Sequence, residues 1–225
     1  MNAGIVVAAG RTSPMGSHVD RAFLSLGTKP VLAYSLIAFE KCPDIDMVVL
    51  VVRKDRVDAG QALAKMFGCS KVKKIVGGGA LRQGSVQAGL DELHDEITFV
   101  TVHDGSRPCV TPDQISETIK SAKRYGTGVA AVKAEDSLKE VLKGQTVTRT
   151  LDRSKFWYAL TPQSFRRELL VKGHESARKK QLTVWDDSEA VALVADEVHL
   201  VPTTVPNIKI ISADDLTLAA AVLRL

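Results

Sequence analysis

Long hydrophobic runs are missing from this sequence. No apolar stretch approaches the roughly 20 residues that span a bilayer, and the first of them, Ile5 to Ala9, has the size of a strand. A soluble chain without a membrane partner or a recognisable export signal is expected. Cysteine is scarce as well: Cys42, Cys69 and Cys109 lie far apart with no C-x-x-C pair. That spacing excludes a disulfide framework and a cysteine zinc site, and it fits a reducing cytoplasm. Neither sign of charge dominates, because the formal net charge is only +4 and the basic residues are scattered. No nucleic-acid groove is indicated, whereas a small anionic substrate would suit local basic clusters. Internal repeats and low-complexity tracts are absent too. Two nucleotide signatures are also wanting, since the first loop has neither G-x-G-x-x-G nor a Walker G-K-S/T.

What is present is a rhythm. Apolar, β-branched runs at 3–9, 47–52, 72–76, 97–102 and 128–132 alternate with segments of helical period at 31–41, 55–67, 83–94 and 112–125. The 225 residues fit one α/β domain, 1–225, with a mainly parallel Rossmann-like sheet and helices on both faces. The rhythm breaks at about 136–154, where polar residues flank a Lys143-Gly-Gln145 turn; this stretch reads as a protruding β-hairpin arm. Beyond Phe156 helices are expected near 165–178 and 186–194, then strands at 198–201 and 208–211 and a final helix from Ala213.

In such sheets ligands bind at the carboxyl ends of the strands, so three loops carry the functional reading. The first holds Ala8, Ala9 and Gly10, which open the backbone amides to a ligand, and Arg11 and Arg21, which can face a triphosphate. The second, Val76-Gly-Gly-Gly-Ala-Leu-Arg-Gln-Gly-Ser85, suggests backbone passing close to a ligand, with Arg82 and Ser85 on one helix turn. The third, His103-Asp-Gly-Ser-Arg-Pro108, offers an acid for Mg²⁺ and an arginine for a phosphate. His103 itself reads as a packed or hydrogen-bonded structural residue, and Asp186-Asp187 as a solvated helix start. No serine, histidine and acid set suggests a nucleophile.

The order of these motifs resembles the 2-C-methyl-D-erythritol 4-phosphate cytidylyltransferases of the non-mevalonate isoprenoid pathway, over essentially the whole chain. The most specific segments are Val102-His-Asp-Gly-Ser-Arg-Pro-Cys109, Leu151-Asp-Arg-Ser-Lys-Phe-Trp-Tyr-Ala-Leu-Thr-Pro-Gln163 and Asn207-Ile-Lys209. The resemblance implies CMP transfer from CTP to methylerythritol phosphate with Mg²⁺. It implies that Ala8, Ala9, Gly10, Gly79 and Ser85 hold the nucleotide, with Arg82 supporting the loop. Asp104, Gly105 and Arg107 would line the reaction centre, Asp104 on the metal side; Lys209 would reach the phosphates and Thr161 the methylerythritol phosphate. Ser137 and Arg153 would reach from the arm into the neighbouring subunit of a homodimer. Three positions depart from the family pattern: Pro14 where an arginine precedes Met15, Asp20-Arg21 for proline and lysine, and Ala80 for an acid. Arg21 keeps the lysine's charge, and Arg11 is placed to stand in for the arginine. A ribitol-phosphate cytidylyltransferase, a silent nucleotide-binding paralogue and a nicotinamide dehydrogenase are the alternatives.

Overall fold

The computed structural model describes residues 1–10, 19–204 and 206–225. In chain order its elements are β1 (Asn2–Ala8), the short pair β2 (Ser25–Leu26) and β3 (Lys29–Pro30), α1 (Val31–Lys41), β4 (Met47–Val52), α2 (Val57–Met66), β5 (Val72–Gly77), α3 (Arg82–Leu90) and β6 (Phe99–Asp104). They continue with α4 (Pro112–Tyr125), β7 (Thr127–Lys133), β8 (Lys139–Val141), β9 (Val147–Thr150), β10 (Trp157–Arg166), α5 (Arg167–Lys179), α6 (Asp187–Ala192), β11 (Leu200–Pro202) and α7 (Ala213–Leu223). Seven strands form one sheet in the order β11-β7-β10-β6-β1-β4-β5.

Strand alternation divides the core in two. In β4, Val48, Leu50 and Val52 pack on one face with Leu32, Leu36 and Phe39 of α1 and Ile115 and Ile119 of α4. Met47, Val49 and Val51 face the other way, onto Val86 and Leu90 of α3 and Leu170 of α5. A strand apolar on both sides is what a doubly covered parallel sheet demands. Helix ends follow local chemistry: Thr111 Oγ1 accepts from the Gln114 amide at 3.2 Å to start α4, Pro112 takes its first turn, and Gly126 at φ 84° ends it. No helix among the described residues is long and apolar enough to cross a membrane.

The expected pattern fails twice after the arm. It assigned no element to most of Trp157–Arg166, which is a ten-residue strand lying antiparallel between β6 and β7. Pro162 and the polar Gln163 and Ser164 hide it in the sequence, yet each is accommodated. The ladder to β7 shifts register between Ala159 and Gln163, around the proline, and the Ser164 hydroxyl meets Thr101 and Thr118 hydroxyls at 2.8 Å each. The second failure is 208–211, which forms no strand: Ile210 N–H instead donates to Ser106 O at 2.8 Å, stitching the segment to the third loop. The arm is a two-stranded hairpin, with Lys139 opposite Thr150, and residues 141–150 are all exposed.

Candidate active site

The loops that follow β1, β5 and β6 meet at the carboxyl edge of the sheet around a cleft of about 530 Å³. Ala8, Ala9, Gly10, Arg21, Gly79, Arg82, Ser85, Asp104 and Lys209 all line it. Arg11 and Pro14 lie outside the described residues. The glycines of the second loop are also packed closely against the protein itself. A side chain on Gly77 would strike Lys54, one on Gly78 would strike Ala9 and Ser85, and one on Gly79 would press on the Gly84 backbone. Close packing of the second loop against the first therefore fixes the cleft wall. Ser85 holds the same wall, its hydroxyl donating to Leu81 O at 3.3 Å and accepting from Gly79 N–H at 3.2 Å.

At the centre stands Asp104, the last residue of β6. Arg82 Nε lies 3.2 Å from its Oδ1, while Lys209 Nζ at 2.8 Å and Arg107 Nε at 3.7 Å face its Oδ2. Burial alone would raise the carboxyl's pKa, but the charges of Arg82, Lys209 and Arg107 overcome it and hold the group far below the usual carboxylate range. A second carboxylate completes the cluster. Asp187 Oδ2 is 2.8 Å from Arg82 Nη1, and Asp187 is fully buried rather than a solvated helix start; Asp186, beside it, is the half-buried cap, accepting from Glu189 N–H at 2.8 Å. Three cations around two carboxylates leave an uncompensated positive charge facing the cleft, and Arg21 adds to it. The turn that presents Arg21 is anchored by the neighbouring Asp20, which sits 3.7 Å from Arg53 and 3.6 Å from Arg56.

The layer beneath is a chain of hydrogen bonds. Asp104 N–H donates to Thr161 Oγ1 at 3.0 Å, and that oxygen lies 3.1 Å from His103 Nδ1. His103 Nε2 is 3.2 Å from the Arg107 carbonyl, which can only accept. The proton therefore sits on Nε2, and Nδ1 accepts from the threonine. His103 is wholly buried and its pKa is pushed down to about 4 by burial, so it is the structural, neutral residue the sequence suggested. Thr161 also presents its carbonyl to Asn207 Nδ2 at 2.6 Å, and the Asn207 carbonyl accepts from Arg107 Nη1 at 2.7 Å.

Gly105, Arg107 and Thr161 are not among the cleft-lining residues, and Arg107 and Thr161 meet it through Asp104. Gly105 is a packing glycine, whose added side chain would meet Leu32 and Ala8. Ser137 and Arg153 lie on the exposed arm, away from the cleft; the Arg153 guanidinium donates to the Glu135 carbonyl at the arm's base. Sequence reasoning missed Asp187, His174 and the rim residues Thr183, Val184 and Trp185. Trp185 is 90% exposed at the cleft mouth, an unusual place for so large an apolar surface. Only the acid pair at 186–187 gave any local sign, and its partner Arg82 is remote in sequence.

A mainly parallel sheet that gathers two small-residue loops and a surplus of cations at one edge is the arrangement of a nucleotidyltransferase. The comparisons place it more closely. The family model described as 2-C-methyl-D-erythritol 4-phosphate cytidylyltransferase (IspD) matches residues 3–225, and the chain belongs to that family. It is 37% identical over 223 residues to the enzyme of that name from Pelotomaculum thermopropionicum, covering 99% of this chain and 94% of the relative. The one from Desulforamulus reducens is 38% identical over 223 residues, covering 98% of this chain and 94% of the relative. Among solved structures, 4-diphosphocytidyl-2C-methyl-D-erythritol synthase from Anaerococcus prevotii superposes with a TM-score of 0.87 at 26% identity, covering 100% of this chain and 96% of the other. The cytidylyltransferase from Thermus thermophilus gives 0.80 at 29% identity, with 98% of each chain covered.

Proposed function

We propose that the chain transfers the cytidylyl group of CTP to 2-C-methyl-D-erythritol 4-phosphate, and that the cleft over Asp104 is where it does so. An oxygen of the substrate phosphate attacks the α-phosphorus in line. The bond from that phosphorus to the bridging oxygen breaks, and pyrophosphate leaves with the electron pair. Two anions must be brought together, so the work is positioning and charge neutralisation, with no covalent intermediate. The observation that carries this reading is the convergence of Arg82, Lys209 and Arg107 on one buried carboxylate beside the glycine loops. In it Ala8, Ala9, Gly10, Gly79 and Ser85 hold the nucleotide, and Arg21 and Lys209 face its phosphates.

The donor set does not suit a Mg²⁺ ion held by Asp104. Both of its oxygens already face cations, and no group of three or more His, Cys, Asp or Glu among the described residues could hold a metal. Mg²⁺ takes octahedral oxygen ligands and readily uses substrate phosphates and water for most of them. In our reading Asp104 organises the protein's cations. We further propose a two-fold homodimer built through the arm, which would bring Ser137 and Arg153 to the neighbouring cleft. Support comes from the arm's exposed Val141, Leu142 and Val147, apolar surface with no cover on its own chain. A cytoplasmic setting agrees with three free, buried cysteines.

The test is pyrophosphate release from CTP with methylerythritol phosphate, ribitol 5-phosphate or neither, repeated with UTP. Release with CTP and methylerythritol phosphate is expected. Release with ribitol phosphate alone, or with neither acceptor, would refute the assignment.

A further inference from the structure

Arg82 bridges two buried carboxylates that come from different parts of the fold. Its Nη1 lies 2.8 Å from Asp187 Oδ2, whereas its Nε lies 3.2 Å from Asp104 Oδ1. Asp187 is held in turn from behind: its other oxygen accepts the Nε2–H of His174, on α5, at 2.9 Å. Neither Asp187 nor His174 lines the cleft. A fully buried carboxylate is costly unless paired. Asp187 is paired on two sides, with His174 across the α5–α6 contact and with Arg82 at the cleft, and the rest of that contact is close packing, where a side chain on Gly173 would strike the Ala190 carbonyl. Burial would raise the pKa of Asp187, but Arg82 and the His174 hydrogen bond overcome it and keep the group ionised below the ordinary carboxylate range.

We infer that Asp187, tethered by His174, is a positioning residue for cytidylyl transfer: it draws Arg82 to itself and so limits that arginine's claim on Asp104. The other oxygen of Asp104 holds Lys209 at 2.8 Å, and this lysine lines the cleft. Neutralise Asp187 and Arg82 falls onto Asp104, shifting the carboxylate and with it the ammonium group that meets the nucleotide. The inference rests on the reading of the cleft given above.

A double-mutant cycle in the pyrophosphate-release assay tests it, with Asp187→Asn, Arg82→Ala and the pair. Asp187→Asn is expected to lower kcat/KM about tenfold and Arg82→Ala more. The double variant should match Arg82→Ala within about twofold, because a residue that acts through another has nothing to add once its partner is gone. A double variant that falls by the product of the two single losses would overturn the inference and leave the cleft reading intact. So would Asp187→Asn with unchanged kcat/KM. Arg82→Ala with unchanged kcat/KM would sink the cleft reading, and this inference with it. Circular dichroism establishes folding. If Asp187→Asn does not fold, His174→Ala keeps the charge but removes the tether, and the same non-additivity with Arg82→Ala is required of it.

Discussion

Lowering the pH should weaken this fold through His103 in a window fixed by its burial. Its ordinary value is 6.5, and in the fold it is pushed down to about 4. Between those values the unfolded chain binds a proton that the folded chain refuses. Stability therefore rises with pH across the window and is lost as pH falls from about 6.5 towards about 4. From pH 7.5 to pH 5 this one residue is expected to remove about 2 kcal/mol, from the same linkage relation. The geometry agrees: Nδ1 already accepts from Thr161, and a second ring proton would meet that hydroxyl head-on while a charge entered a wholly buried site. Urea unfolding at both pH values is the assay, on the wild-type chain and on His103→Gln, whose amide cannot titrate. Carboxylates contribute equally to both, so the difference in slope reports His103. A His103 ring-proton NMR titration gives the same quantity directly. A midpoint near 6.5, or an unchanged slope in His103→Gln, would refute the reasoning.

Asp104→Asn should abolish turnover and cost about 3–5 kcal/mol of stability, since three cations lose their shared partner; any residual activity should keep the wild-type Mg²⁺ dependence, and a raised Mg²⁺ requirement would instead make Asp104 a metal ligand. Arg21→Ala is expected to lower kcat by about 10²–10³, the scale of one preorganised charge at the transition state, with Arg21→Lys retaining most of the rate; an alanine variant of normal kcat would leave Arg21 without a role. Trp185 at the cleft mouth should report CTP binding by fluorescence quenching that disappears in Trp185→Phe. Quenching that persists there would belong to Trp157, the other tryptophan of the chain.

The parallel half of the sheet was legible because strands such as β4 are apolar on both faces and helices such as α4 amphipathic, patterns that survive without knowledge of partners. β10 was not. Its polar residue Ser164 is satisfied by hydroxyls of Thr101 and Thr118 supplied from elsewhere, and Pro162, Gln163 and Ser164 interrupt the apolar run that would mark a strand. The same distinction runs through the site. Ala8, Gly79, Arg82 and Asp104 sit at or just beyond strand ends, or at the start of the helix that follows, where position alone announces them. Asp187 acquires its meaning only from a guanidinium brought to it by folding, and Thr161 only from the Asp104 amide and His103. The arm was readable as a hairpin from its polar alternation and its turn, where Gly144 has φ 64°.

β7 and β10 are the two rails on which the arm is mounted, and Ala134 N–H donating to Phe156 O at 3.0 Å is the last rung that joins them. Everything between, residues 135–155, is a cassette with adjacent ends and few ties to the body. For protein engineering this marks a splice point: arms from related chains can be exchanged at that rung, and the body's sheet register would not have to change to receive them. Since Thr161 lies five residues further along the same rail, a graft ending before Phe156 leaves the floor of the cleft untouched.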